Sequence, residues 1–247
     1  MIRGVYTAAS GMIAESVRND AIANNLANAN TAGYKKDVAI TKDFASMLIE
    51  RTEAGQEAEN IGTAGAGVTI DEIATIHNPG MMNNTGNDFD MAIDGKGFFA
   101  VETPNGIRYT RNGAFTRNMQ GELVTQDGYR VMGQRGAIRV KGNKLVITAD
   151  GNVLVDDVQT DRLQLVEFSN QKQLAKEGDS LYTVANGVQG QQATGQVRQG
   201  CLEQSNVNVV AEMINLITGY RAYEVSGKVV QTHDQLMEKA ATEVGKV

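Results

Sequence analysis

The chain has 247 residues, 41% of them hydrophobic, with no Trp, a single Cys, and two Pro against 27 Gly. That length supports one large domain or two modest ones, with a largely aliphatic core and turns that depend on glycine rather than proline. A formal net charge of −6 leaves no general basic face for nucleic acid, and the single Cys201 forms no internal disulfide and makes, with His77 and His233, a poor zinc ligand set.

The opening MIRGVYTAASGM has no apolar run of signal-peptide length, and no stretch approaches the roughly 20 apolar residues of a membrane span. A cytosolic protein is expected, or one secreted by a route that reads an uncleaved N-terminus. Val5, Ala9, Met12, Ala23 and Leu26 recur at helical spacings and predict a helix over residues 1–30 with a narrow apolar stripe. Ser16 and Asn19 fall on the same stripe. Asn28, Asn30, Thr31 and Gly33 are capping and breaking residue types, and Asn28, Thr31, Gly33 and Tyr34 form the expected turn from helix to domain.

Residues 34–75 read as an extended linker with a short amphipathic helix at Phe44, Met47, Leu48 and Arg51. Residues 53–67, rich in Gly, Ala and Glu, read as flexible. Val68, Ile70, Ile73 and Ile76 then predict a strand. From about residue 90 short apolar runs alternate with Asp94-Gly95, Asn105-Gly106, Asn112-Gly113, Asp127-Gly128, Asp150-Gly151 and Asn186-Gly187, the dipeptides of tight hairpins. Such closely spaced strands predict an antiparallel sandwich or irregular barrel over residues 76–204.

Ser205 or Asn206 is the expected cap of a second long helix, over residues 206–243. Val207, Val210, Ile214 and Ile217 form its stripe, which Ala222, Val225, Val229, Thr232 and Leu236 continue. Gly219 and Gly227 each weaken it by about 1 kcal/mol relative to Ala. The expected fold class is α+β: long N- and C-terminal helices pairing as a coiled coil, with a central antiparallel β-rich domain. The inner helical domain would comprise residues 1–33 and 205–243. Its assembly interface would comprise Val5, Ala9, Met12, Ala23, Leu26, Val207, Val210, Ile214, Ile217 and Val225.

Catalytic patterns are weak. Gly95-Lys96-Gly97-Phe98-Phe99-Ala100 matches a dinucleotide fingerprint formally, but Phe98, Phe99 and Val101 look like strand where that motif needs a helix. Asp88, Asp90 and Asp94 lack the glycine and glutamate of a calcium loop and read as turn chemistry. No G-x-S-x-G elbow is present, His77 reads as a loop residue, His233 as a surface one and Cys201 as a small buried one. The chain therefore reads as a non-enzyme with no cofactor, metal or catalytic residue assigned.

Three blocks carry a resemblance. The run Ala23-Asn24-Asn25-Leu26-Ala27-Asn28-Ala29-Asn30-Thr31-Ala32-Gly33-Tyr34-Lys35 resembles the N-terminal signature of bacterial flagellar basal-body rod and hook proteins. Asp90 to Val101, followed by Tyr109 to Phe115 and Gly121 to Val124, is similar to the family's β-domain block; Gly200 to Asn208 and Arg221 to Glu224 are similar to its C-terminal block. The opening Arg3 to Met12 and the length are nearest to a proximal rod protein, with a distal rod or other axial homologue next. The resemblance implies a subunit of the axial drive shaft, exported unfolded by the flagellar type III apparatus without signal cleavage. Its partners would be copies of itself and other rod, hook and basal-body axial proteins, in the periplasmic or wall-crossing part of the rod. The competing readings are a secreted β-domain cell-wall hydrolase, which needs a cleft with paired acids, and a free-standing β-domain that dimerises through helical arms.

Overall fold

The computed structural model describes residues 2–44, 47–51, 59–142, 144–178, 180–184, 188 and 190–244. They fall into two compact units. The first gathers Met1–Ala27, Asp37–Ala74 and Asn208–Val247, and the second Asn28–Lys36 and Thr75–Val207.

In the first unit, helix α1 (Ile2–Ala27) and helix α2 (Val209–Lys239) pack side by side. They run antiparallel: Gly4 faces His233, Gly11 faces Ser226, Met12 faces Gly227 and Asn19 faces Gly219. At about 1.5 Å per residue, 26 and 31 residues give rods of roughly 39 and 46 Å. The cap of α2 is Asn208, whose side chain accepts from the Ala211 amide at 3.1 Å. Asn206, expected in that role, is otherwise engaged: its carboxamide accepts from the Lys36 amide at 2.8 Å and donates to the Ile76 carbonyl at 2.7 Å. His233 is half-buried over Gly4 rather than on the surface, because glycine lets the imidazole approach α1 closely.

The strand Asp37–Asp43 pairs with Val68–Thr75 beside α1. Asn25 of α1 clasps its start, donating to the Asp37 carbonyl at 2.7 Å and accepting from the Asp37 amide at 2.8 Å. The short helix expected at residues 44–51 is absent: Met47–Arg51 is a strand paired with Glu59–Ala64. Five residues are far fewer than the roughly 12–15 an isolated helix needs, so pairing satisfies their backbone better. The same pairing corrects the flexible reading for residues 59–64, and residues 52–58 lie outside the described residues.

Among the described residues, the strand pairs of the second unit are antiparallel. The path of its largest sheet runs Leu174–Lys176, Leu181–Val184, Gly106–Thr110, Phe98–Thr103, Arg130–Gly133, Leu123–Thr125 and Phe115–Arg117. A three-stranded sheet joins Leu145–Ile147, Asn152–Val155 and Val158–Arg162. Asn105-Gly106, Asp127-Gly128 and Asp150-Gly151 close hairpins as expected, whereas Asp94-Gly95 and Asn112-Gly113 join strands that pair elsewhere. Asn186-Gly187 lies outside the described residues. One hairpin has no glycine signal: Asp156 and Asp157, with φ of 51° and 66°, turn Val155 back onto Val158. Both φ values are positive, as a primed turn needs, and aspartate tolerates that region better than most residues.

Successive side chains on a strand face opposite ways, and Phe98 and Phe99 use this to serve two cores. Phe98 joins Val166, Phe168, Leu174 and Tyr182; Phe99 joins Met91, Val101, Phe115, Leu123 and Val131. The rings of Phe99 and Phe115 meet edge to face at 5.2 Å. Truncating Phe99 to Ala is expected to lower the stability of this unit by about 3–5 kcal/mol, and Val158→Ala, at an exposed site, by less than about 0.5 kcal/mol. Urea unfolding of each variant measures the difference.

Candidate functional site

The two sides of α2 are reversed relative to an ordinary amphipathic helix. At about 100° per residue, Glu212, Leu216, Gly219, Ser226, Gly227, Val230 and His233 share the side turned to α1, and Glu212 and Gly219 are buried there. A Cβ on Gly219 would overlap the Asn19 carboxamide, so glycine sets the close approach of the two helices. The opposite side carries Val210, Ile214, Ile217, Val225, Val229 and Leu236, all exposed, Ile214 at 59% and Ile217 at 55%. The more apolar side of this helix faces solvent.

The sequence-predicted interface is thus only partly brought together. Val210, Ile214, Ile217 and Val225 do share that exposed side of α2. On α1, Val5, Ala9, Met12 and Leu26 are half-buried and Ala23 is exposed. Met12 reaches towards Gly227 of α2, while Val207 precedes α2 and belongs to the second unit. Tyr6 and Ile13, exposed at 69% and 66%, flank the α1 stripe and were not expected. Their spacing places them at its margin, where periodicity alone does not separate a contact face from a solvent face.

In the second unit the turn residues close around a cluster of buried charge. Thr31 donates its amide to the Asn28 carbonyl at 3.1 Å, and Gly33 donates to the Glu203 carbonyl at 2.7 Å. Gly33 has φ of 67°, and a Cβ there would overlap the backbone of Arg111 and Asn112. Tyr34 is buried, and the Lys176 ammonium sits 3.8 Å from its ring centre. Next to it, the buried Lys35 ammonium donates to Glu203 Oε1 and, at 2.9 Å, to the Asn78 carbonyl. Glu203 Oε1 also accepts from the Gly80 amide at 2.9 Å, and its Oε2 lies 3.4 Å from Arg111 Nη1. Arg111 donates further to the Ile93 and Gly95 carbonyls at 3.1 and 2.7 Å.

Two cations therefore share one carboxylate in a site almost closed to water. Sequence periodicity does not see this cluster, because Lys35 and Glu203 are 168 positions apart. A signal exists nonetheless: each member sits inside one of the three blocks that carry the family resemblance. Two of the three acids that the sequence singles out are otherwise engaged. Asp90 is occupied in a turn, accepting from Thr85 at 2.6 Å and Asn87 at 3.1 Å, and Asp94 pairs with Arg198 at 2.5 Å. A cleft of about 480 Å³ in this unit has Asp150 as the one carboxylate among its lining residues. Paired-acid hydrolysis has no seat there. His77 packs its ring against Phe98 and Tyr182, and Cys201 is half-buried in a strand rather than fully buried.

Glu203→Gln leaves Lys35 and Arg111 facing each other without a counter-charge and is expected to cost about 3–5 kcal/mol. Lys35→Met is expected to cost less, because it leaves a neutral Glu203–Arg111 pair. Burial, partly offset by Glu203, holds the Lys35 ammonium below the ordinary lysine value of 10.5. Between that lowered value and 10.5 the unfolded chain binds the extra proton, so stability rises with pH through this window. The rise is expected in the wild type and absent in Lys35→Met, as read from denaturant midpoints across alkaline pH.

Family models match three segments of the chain. Residues 5–35 match the flagella basal body rod protein model, 92–169 the flagellar hook protein FlgE/F/G D1 domain, and 198–243 the flagellar basal body rod FlgEFG protein C-terminal model. The chain is 33% identical to the flagellar basal-body rod protein FlgG of Bacillus subtilis, over 97% of this chain and 98% of that one. It is 36% identical to FlgG of Agrobacterium fabrum, over 95% and 97%, and 30% identical to the flagellar hook-basal body complex protein FlhO of Bacillus subtilis, over the full length of both. By sequence along nearly its whole length, the chain belongs to the flagellar basal-body rod protein family.

Proposed function

We propose that the chain, a structural subunit of the flagellar basal-body rod, polymerises through its terminal helices, joins the other axial proteins and transmits torque along the shaft. The observation that carries this reading is the exposed side of α2, where Val210, Ile214, Ile217, Val225, Val229 and Leu236 face solvent. An apolar surface of this kind gains free energy only when a neighbour covers it, at roughly 25 cal/mol for each Å² removed from water. Neighbours stacked by a rotation that does not close give an open helix rather than a ring. In that helix α1 and α2 form the inner coiled coil, and near-parallel helices at small crossing angles supply the stiffness a drive shaft needs.

The same stripes favour termini that order on assembly. Glycine at positions 4, 11, 219 and 227 lowers intrinsic helix stability, and the side of α2 turned to α1 has few large apolar residues. The free subunit then reaches the rod through the export apparatus as a loosely ordered chain, with Asn28, Thr31, Gly33 and Tyr34 fixing the passage from helix to β-rich domain. Proteolysis of dilute monomer checks this: cleavage first within residues 1–27 and 208–244 is expected, and resistant termini refute it.

Ile214→Asp and Ile217→Asp are expected to change monomer unfolding by less than about 0.5 kcal/mol, because both side chains already face water. Both are nevertheless expected to abolish incorporation into the rod, since burying an unpaired carboxylate in the assembled seam costs several kcal/mol. Basal bodies purified from cells producing each variant give the readout, and normal incorporation of both refutes the seam.

A further inference from the structure

The cleft of about 480 Å³ in the β-rich unit has no part in the rod reading. Residues 162–166 and 190–196 form its walls, with Gln134 and Asp150 beside them. Backbone hydrogen bonds hold these segments in place. Gln134 donates its amide to the Arg162 carbonyl at 2.9 Å, Gln164 to Met132 at 3.0 Å and Ala193 to Leu165 at 3.1 Å. Five glutamines line the cleft: Gln134, Gln164, Gln191, Gln192 and Gln196. None of their carboxamides bonds to another described residue. Gln199 of the same unit shows the contrast, for its carboxamide accepts from the Ile147 amide and donates to the Asp88 and Leu145 carbonyls. The charged residues in the lining are Arg162 and Asp150, one of each sign.

A carboxamide offers a donor and an acceptor side by side, and a sugar hydroxyl is likewise both. Small-ligand sites are ordinarily apolar with a few polar groups, so a cleft lined by five free carboxamides calls for a ligand that is polar along its length. The two lining charges cancel, and the chain as a whole carries −6, which disfavours an anionic polymer. An added peptide strand fits poorly as well. Bonded and unbonded positions alternate in an antiparallel pair, and Ala193 bonds to Leu165. Of the strand Gln191–Gln192, only Gln192 therefore turns its backbone N–H and C=O to the open edge, too few for strand addition. We infer that this cleft binds an uncharged oligosaccharide. The glutamine carboxamides bond its hydroxyls, and Leu165 and Ala193 meet the C–H faces of its rings. The lining has no aromatic ring for a sugar to stack on, so affinity rests chiefly on hydrogen bonds and is modest. The site belongs to the β-rich unit alone and does not depend on the rod reading.

The test follows the side-chain amide signals of the full-length, glutamine-labelled chain by NMR while N-acetylglucosamine trimer or maltotriose is added. Signals are assigned from single-site variants. At least one of the two saccharides is expected to move the signals of Gln134, Gln164, Gln191, Gln192 and Gln196. Those of Gln120 and Gln126, exposed elsewhere in the same unit, are expected to stay in place. Read from the Gln164 signal, Gln191→Ala with Gln192→Ala is expected to weaken affinity about tenfold at an unchanged urea midpoint. Gln134→Ala with Gln196→Ala is expected to do the same independently, and Gln120→Ala with Gln126→Ala to change nothing. The inference is overturned if neither saccharide moves the five signals, or if both cleft variants bind as the wild type does. Movement with heparin or an uncharged extended peptide, but with neither saccharide, overturns it too. Each of these failures leaves the rod reading standing.

Discussion

A helix that keeps glycine, serine and glutamate against its neighbour while isoleucine and valine meet water gains little from that neighbour alone. For α2 the contact with α1 supplies closeness, through Gly219 and, on α1, Gly4, but little apolar burial. The large side chains are on the far side, at Val210, Ile214 and Ile217. In a solitary protein this would be a fault of design. In the rod reading proposed above, it moves the hydrophobic driving force from folding to assembly. The reach of the helices and the small residues along their seam both make sense under that single constraint.

The β-rich unit obeys the ordinary rule and buries what is apolar. Phe98 and Phe99 project to opposite faces of one strand and anchor two cores, and the strands around them are joined by tight turns. A well-packed body of this sort holds its shape whether or not neighbours are present. One unit buries its large apolar side chains and the other leaves many of them exposed.

Much of this was legible in the sequence. Apolar recurrence at Val5, Met12, Ile214 and Ile217 marks two long helices, and three of the Asn-Gly or Asp-Gly pairs mark real hairpins. What periodicity does not carry is which side of a helix is inside, because a stripe reads the same whether its cover is intramolecular or not. The strand at Met47–Arg51 was hidden for a related reason: its partner, Glu59–Ala64, lies beyond a stretch that composition marks only as polar and small. Asp156-Asp157 closes a hairpin without the glycine that usually announces one. The charge cluster was invisible to any local rule, since Lys35, Arg111 and Glu203 meet only in three dimensions.

That cluster also sets an order of events during synthesis. Lys35 and Arg111 leave the ribosome long before Glu203, and until it arrives they have no carboxylate to accompany them out of water. The same late residue provides the carbonyl for Gly33 and the acceptor for Gly80, and the strand it ends pairs with Met82–Asn84. A growing polypeptide lacking its last fifth therefore holds Lys35 and Arg111 without the carboxylate that pairs with both. The contact that closes the β-rich unit is thus among the last the ribosome supplies.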